Sequence, residues 1–157
     1  MGINYFIRKA EKKDIHLVFD LSNDPLVREN SIDSKKILWK DHLDWFGKKI
    51  NDSDYVFYVI LDDKGEFIGQ IRYEINNKIA VVGISITKKF RGKKLSVLLL
   101  NETARNLFKE KESVNEIHAL IKPDNIPSIK SFQMAHYLFK KNTWINGEVF
   151  SVYILNR

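Results

Sequence analysis

VVGISITKKFRGKKLSVLLLNETARNLF, residues 81–108, decides the fold. Its apolar, β-branched opening belongs to a strand over Ile79–Thr87. Its second half places Leu95, Leu98, Leu99, Ala104, Leu107 and Phe108 at helical spacing, which predicts a buried face on a helix over Leu95–Glu110. Between them lies a basic turn. A helix N-terminus has unpaired N–H groups and the positive end of the helix dipole, and together these make an anion site. Gly92 lets the backbone approach such an anion closely, and Arg91, Lys93 and Lys94 add charge suited to a pyrophosphate or a 3′-phosphate. The turn is neither the G-x-G-x-x-G dinucleotide fingerprint nor the P-loop pattern.

Charge sharpens this. Lys and Arg total 26 against 20 Asp and Glu, a formal net charge of +6. The run from Lys88 to Lys94 carries five positive charges and no negative one, which leaves the rest of the chain at +1. A duplex-binding protein usually spreads its cations along a face. A cluster around one Gly reads either as a solvated basic loop or as a seat for a compact polyanion, and no nucleic-acid partner is expected.

Upstream, Tyr5–Lys9 reads as a short strand and Lys12–Leu21 as a helix carrying Ile15, Val18, Phe19 and Leu21. Asp24-Pro25 interrupts it, and LVRENSIDS continues as loop. Lys36–Ile50 is a second amphipathic helix with Leu38, Trp39, Leu43, Phe46 and Ile50 in one stripe. The period then changes. Tyr55–Leu61 and Glu66–Ile75 form a hairpin across Asp62-Asp63-Lys64-Gly65, and Asn76-Asn77 turns the chain into the strand that opens the basic segment. Downstream come a strand over Asn115–Ile121 and a helix over Ile126–Ala135. A closing hairpin of Tyr137–Trp144 and Glu148–Leu155 follows, around the type I′ signal Asn146-Gly147. The order β-α-α-β-β-β-α-β-α-β-β makes a mixed α/β (α+β) domain with a largely antiparallel first half.

Composition narrows the function. The chain of 157 residues is read as a single domain over 1–157, with 44% hydrophobic residues, 7 Gly and 3 Pro. The absence of Cys excludes disulfides, thiolate nucleophiles and Cys-ligated metals, and four scattered His without H-E-x-x-H give no metal site. Apolar runs such as Val56–Leu61 fall far short of the ~20 residues of a membrane span, and no signal-peptide core precedes them. A soluble cytoplasmic protein without a membrane partner is the expectation.

ISI, KKFRGKKLS with its helix, and IKPDNIPSIKSFQMAHY together resemble the acetyl-CoA-binding core of the GNAT acetyltransferase superfamily, and the element order fits over nearly the whole chain. The family's pyrophosphate turn, [Q/R]-x-x-G-x-[G/A], aligns with Arg91-Gly92-Lys93-Lys94-Leu95-Ser96, with Lys94 and Ser96 in place of its small residues. The resemblance implies a central, mainly antiparallel sheet of about seven strands flanked by about four helices. It also implies that the sheet splays between the strands near 79–87 and 115–121. The pantetheine arm of acetyl-CoA, the implied cosubstrate, would pair there with backbone groups of Ile84, Ser85 and Ile86. Asn125, Ser128 and Phe132 match further coenzyme positions, although Asn125 also reads as the N-cap of the helix it precedes.

Acetyl transfer needs a deprotonated amine, a polarised thioester carbonyl and a proton for the leaving thiolate. The family commonly supplies that proton from a Tyr where this chain has Phe132, and some members place a Glu base at the position of Leu120. His118 is the substitute candidate: two residues before Leu120 on a strand, it shares a face with it, and its reference pKa of ~6.5 suits base work. Its plainer reading, placed ahead of the catalytic one, is a partly buried His satisfied by a neighbour. Glu74 and Ser85, on strands beside the cleft, are further catalytic candidates, while His16 and His42 read as structural.

SNDPLVRENS and WKDHLDWF resemble a subgroup that acetylates amino groups on nucleotide-linked sugars, including pseudaminic-acid-type pathways. In that reading Asn23, Arg28, Asn30 and Ser31 line the acceptor side, with Arg28 as a fork donor to an acceptor phosphate. Trp39, Trp45 and Phe46 serve either as core packing or as a stacking surface for a sugar or base. The expected function is acetyl transfer to a primary amine of a small acceptor, an amino sugar. The alternatives are a ribosomal-protein or peptide N-terminal acetyltransferase and a coenzyme- or nucleic-acid-binding module without catalysis. A monomer or a homodimer paired through the last hairpin fits the pattern.

Overall fold

The structure is a computed structural model that describes residues 2–157. Strands β1 (Tyr5–Lys9), β2 (Tyr55–Asp62), β3 (Phe67–Asn76), β4 (Ile79–Ile86), β5 (Glu116–Ile121), β6 (Leu138–Ile145) and β7 (Glu148–Asn156) form one sheet in the order β1-β2-β3-β4-β5-β7-β6. Every neighbouring pair is antiparallel except β4 and β5, which run parallel. The helices are α1 (Ile15–Ser22), α2 (Pro25–Asn30), α3 (Trp39–Lys49), α4 (Leu95–Glu110) and α5 (Ile126–Met134).

Alternation along the strands builds two cores. On one face Tyr58, Ile60, Ile71, Tyr73, Val82, Ile117 and Ala119 pack under α4 and α5. On the other, Phe57 and Val59 meet Val18 and Leu21 of α1 and Phe46 of α3. In the larger core, Thr103 Oγ1 donates to the Leu99 carbonyl at 2.7 Å, which leaves its oxygen to accept from the buried Tyr73 hydroxyl, also at 2.7 Å. At the far end, Asn146 (φ 51°) and Gly147 (φ 79°) both take the positive φ that a type I′ turn requires.

Four expectations shift. The described residues hold five α-helices rather than about four, because Asp24-Pro25 starts a helix instead of merely ending one: Asp24 caps α2 through the Leu26 and Val27 amides, and Pro25 occupies its first turn. The second amphipathic helix begins at Trp39 rather than Lys36, since the Ile37 amide is bonded to Asn23 Oδ1 and Leu38 is extended. Of its predicted stripe, Leu38, Trp39 and Leu43 stay exposed, and the inward positions are His42 and Phe46. On α4, Leu98 is 54% exposed and Leu100 is buried in its place, because the seam follows Leu95, Leu99, Thr103 and Leu107 at i,i+4 spacing.

Candidate active site

Parallel pairing between β4 and β5 runs from Ile79 opposite Glu116 to Val82 opposite Ala119 and then stops. Gly83–Ile86 and Leu120–Ile121 diverge without strand partners between them, although β4 keeps β3 and β5 keeps β7 along this stretch. A cavity of about 1120 Å³ opens at the divergence. Its lining runs continuously from the basic turn through the split sheet to α2 and α3.

The turn side is built from the end of β4. Ile84, Ser85 and Ile86 line the opening, then a short 3-10 turn at Lys88–Phe90 buries Phe90 and brings the chain to α4. Gly92 has φ 71°, and Lys94, the N-cap of α4, has φ 60° and ψ 15°, a left-handed conformation that only Gly adopts freely. Lys94 gives the helix no side-chain cap, and Gly92, Lys93, Lys94, Leu95 and Ser96 all line the cavity. Opposite them stand Leu120 and Ile121 of β5 with Asn125, Ser128 and Phe132 of α5. Asn125 Oδ1 accepts the Ser128 amide at 3.4 Å and so caps α5.

The left-handed Lys94 has a measurable consequence. Relief of the Cβ clash in Lys94→Gly should stabilise the protein by about 1 kcal/mol, a rise of about 2–4 °C in melting temperature for a chain of this size. A thermal melt that does not rise would show that the turn holds no such strain.

Arg91 faces inward. Its Nε donates to the Ile86 carbonyl at 2.8 Å, and its buried Nη2 lies 2.9 Å from Asp24 Oδ1, an ion pair misaligned for a hydrogen bond. Burial alone would raise the Asp24 pKa. Arg91 and the Val27 and Leu26 amides outweigh that and hold the carboxyl below its ordinary value. Arg91 therefore ties the mouth of the split to the start of α2.

On the acceptor side the structure assigns the expected residues mainly to scaffolding. Asn23 lies outside the lining and clamps Ile37, donating from Nδ2 to its carbonyl at 2.9 Å and accepting its amide at 2.8 Å. Arg28 lines the cavity, but four of its five N–H donors are committed: Nε to the Ser22 carbonyl at 2.6 Å, Nη1 to the Asp33 and Lys35 carbonyls at 2.9 and 3.2 Å, and one N–H of Nη2 to Ser31 Oγ at 3.0 Å. It cannot also fork onto a phosphate. Asn30 and Ser31 line the cavity while bonding back to the Leu26 and Val27 carbonyls, at 3.0 and 2.5 Å.

The catalytic candidates separate. Ser85, paired across the sheet with Gln70, and Glu74 both line the cavity, and Glu74 Oε1 accepts from Lys49 Nζ at 3.0 Å. His118 lies outside the lining with Nε2 2.6 Å from Glu116 Oε2. It shares the face of Leu120, as alternation requires, but sits level with Val81 while the split begins only beyond Ala119. His16 stacks on Trp39 with centroids 4.6 Å apart, and the buried His42 donates from Nε2 to the Ile15 carbonyl at 2.8 Å. Burial, opposed in part by that bond, holds the His42 pKa below its ordinary value. Tyr55 and Arg72 line the cavity without being site candidates in the sequence, whereas Trp45, read there as core packing or as a stacking surface, is part of the lining. The signal for Arg72 was a lone cation inside the half-buried strand FIGQIRYEIN. Among the described residues no group of three or more His, Cys, Asp or Glu is placed to hold a metal, and no helix is long and apolar enough to cross a membrane.

Among solved structures, the chain is similar to the spermidine N-acetyltransferase of Vibrio cholerae in complex with CoA and spermine. The TM-score is 0.83 at 18% identity, over 98% of this chain and 95% of the other. It is likewise similar to the aminoglycoside acetyltransferase AAC(6')-Ib in complex with coenzyme A and kanamycin (TM-score 0.83, 14% identity, 98% and 95% covered). A third likeness is to a putative phosphinothricin N-acetyltransferase (TM-score 0.75, 24% identity, 98% of each chain). At these identities the likeness is one of fold. No curated protein matches the sequence. Residues 5–137 match the family described as "Acetyltransferase (GNAT) domain". A match running from β1 past the end of α5 takes in both sides of the opened sheet, and the chain accordingly belongs to the GNAT acetyltransferase family, enzymes that draw their acyl group from acetyl-CoA.

Proposed function

We propose that this enzyme, as a single acetyltransferase domain over 1–157, moves the acetyl group of acetyl-CoA onto a primary amine of a small acceptor, an amino sugar carried on a nucleotide. The observation that carries the reading is the continuity of one cavity from the basic turn, through the split between β4 and β5, to α2 and α3. Coenzyme and acceptor meet in that split. The amine nitrogen bonds to the thioester carbon, the C–S bond breaks, the nitrogen loses a proton and the thiolate gains one. The open half of β4 offers N–H groups near Ile84–Ile86 as oxyanion donors, and proximity supplies much of the rate.

Proton handling falls to solvent and to the polar groups of the lining, Ser85 and Glu74, since Phe132 and Leu120 carry no ionisable group. His118 enters only through a water, given its place outside the lining. The basic turn takes the coenzyme's phosphates on Gly92, Lys93, Lys94 and the first turn of α4, and Arg91 braces it. The absence of Cys fits a cytoplasmic setting.

A small acceptor is favoured over a protein N-terminus because α2 and residues 31–33 wall the cavity on that side. The test is thiol release from acetyl-CoA with nucleotide-linked amino sugars, free amino sugars and short peptides. Turnover with the sugars and none with peptides is the expected result. Turnover confined to peptides would replace this reading with the N-terminal acetyltransferase one.

A further inference from the structure

Arg72 stands on β3 opposite Gly83 of β4, the first residue of β4 beyond its pairing with β5. Its guanidinium lies over that glycine: a methyl group there would meet Nη2 at 3.6 Å and Nε at 3.7 Å. From the other side the Trp45 ring covers it, with Cζ 5.3 Å from the ring centroid. Indole and glycine backbone thus hold a planar fork of donors on the wall of the cavity.

This cation has no ion-pair partner among the described residues. No carboxylate of the lining forms an ion pair with it, Glu74 two residues along on the same face of β3 included, and its polar neighbour is the Tyr55 hydroxyl. Glu74 pairs with Lys49, Asp33 Oδ1 accepts the Lys35 amide, and Asp41 is exposed on the first turn of α3. Arg28 adds a second charge to the same cavity, four of its five donors spent on carbonyls and a hydroxyl, with the Asp33 carboxylate acting on it but no carboxylate in ion-pair contact among the described residues. Burial first, then the positive charge of Arg72, holds the Arg28 pKa below its usual value, against the opposing effect of the Asp33 carboxylate.

Keeping a half-buried guanidinium without a counter-ion is unfavourable unless a ligand supplies one. The planar fork matches carboxylate and phosphate oxygens two at a time. We propose that Arg72 is a specificity residue that holds an acidic group, a phosphate or a carboxylate, on the same molecule that bears the acceptor amine. The proposal rests on the acetyl-transfer reading and narrows its substrate to amines of mixed charge. An acceptor such as spermine would bring a second cation against Arg72.

The test is calorimetric binding to protein saturated with coenzyme A, so that the basic turn is already occupied. Three amines are compared, on the native chain and on Arg72→Gln and Arg72→Lys: glucosamine, glucosamine 6-phosphate and muramic acid. At least one acidic amine should bind about tenfold or more tighter than glucosamine, the scale of a charge-assisted pair. The phosphate and carboxylate arms decide between the two groups. Arg72→Gln should cut that advantage to about threefold or less, and Arg72→Lys, which keeps the charge without the fork, should lose part of it. If Arg72→Gln melts early, the Arg72→Lys comparison decides alone. No preference for either acid, or a preference that survives both substitutions, overturns the proposal. Thiol release is read separately. Acid-selective binding without release from any amine counts against acetyl transfer and leaves the role of Arg72 standing, and release with glucosamine without acid preference does the reverse.

Discussion

Gly69→Ala is expected to lower the melting temperature by roughly 10 °C and to weaken coenzyme binding at the same time. Gly69 sits on β3 opposite Ile86, and the two strands pass so closely that a Cβ there would lie 2.2 Å from the Ser85 carbonyl oxygen and 3.2 Å from Ile86 Cα. The obstruction is backbone, not the end of a flexible side chain, so no rotamer change relieves it. The β3–β4 ladder has to part where β4 already lacks β5 on its other side. Overpacking usually costs about 1–3 kcal/mol, and this case lies at or beyond the upper end. At about 2–4 °C per kcal/mol the loss is easily read in a thermal melt. Because the displaced residues are Ser85 and Ile86, the shift in melting temperature produced by acetyl-CoA should shrink as well. A variant melting within about 2 °C of the native protein would show that the ladder yields without cost.

Phe132→Ala comes next in size. The ring is 4% exposed and meets Tyr137 edge-on, with centroids 4.9 Å apart at 88°. Removing a buried Phe typically costs about 3–5 kcal/mol, and the Tyr137 hydroxyl, buried with no partner, gives the site no polar anchor on which to regroup. The same ring walls the cavity, so its loss enlarges the side on which the coenzyme is proposed to bind. The expected signature is a melting temperature lower by on the order of 10 °C. Alongside it, KM for acetyl-CoA should rise while the pH profile of turnover keeps its shape, since no titrating group is removed. A changed pH profile would contradict the reading of Phe132 as wall.

What could be read from the sequence was whatever local chemistry settles. The strand–turn–helix unit around Gly92, the type I′ turn and the succession of strands are written in period and in turn residues. α2 was equally local, and Asp24 followed by Pro25 has the composition of a helix start; reading Pro25 only as a breaker hid it. Arg28 is different. Its appearance in a polar loop gave no hint that four oxygens from Ser22, Ser31, Asp33 and Lys35 would converge on it. Arg72 shows the same limit from the other side, because what makes it unusual is its register against Gly83 and the ring of Trp45, relations between segments far apart in the chain. His118 was placed on the correct face, but where along β5 the sheet opens depends on the pairing with β4.

An ordinary open sheet presents two rims to solvent, and here these are β1 and β6, the latter studded with Lys140 and Lys141, residues of the kind that discourage another strand from adding. The divergence past Val82 and Ala119 creates a second pair of rims in the middle of the sheet. Unlike the outer ones, they are recessed, lined by Ile84 and Ile121, and carry no Lys of their own. Any chain with amide groups spaced like a peptide can finish the torn ladder from within. In the binding mode proposed above, the coenzyme would be more than a donor of two carbons: lying in the split it would stand in for the missing strand, and the loaded protein would be the one whose sheet is closed to strangers.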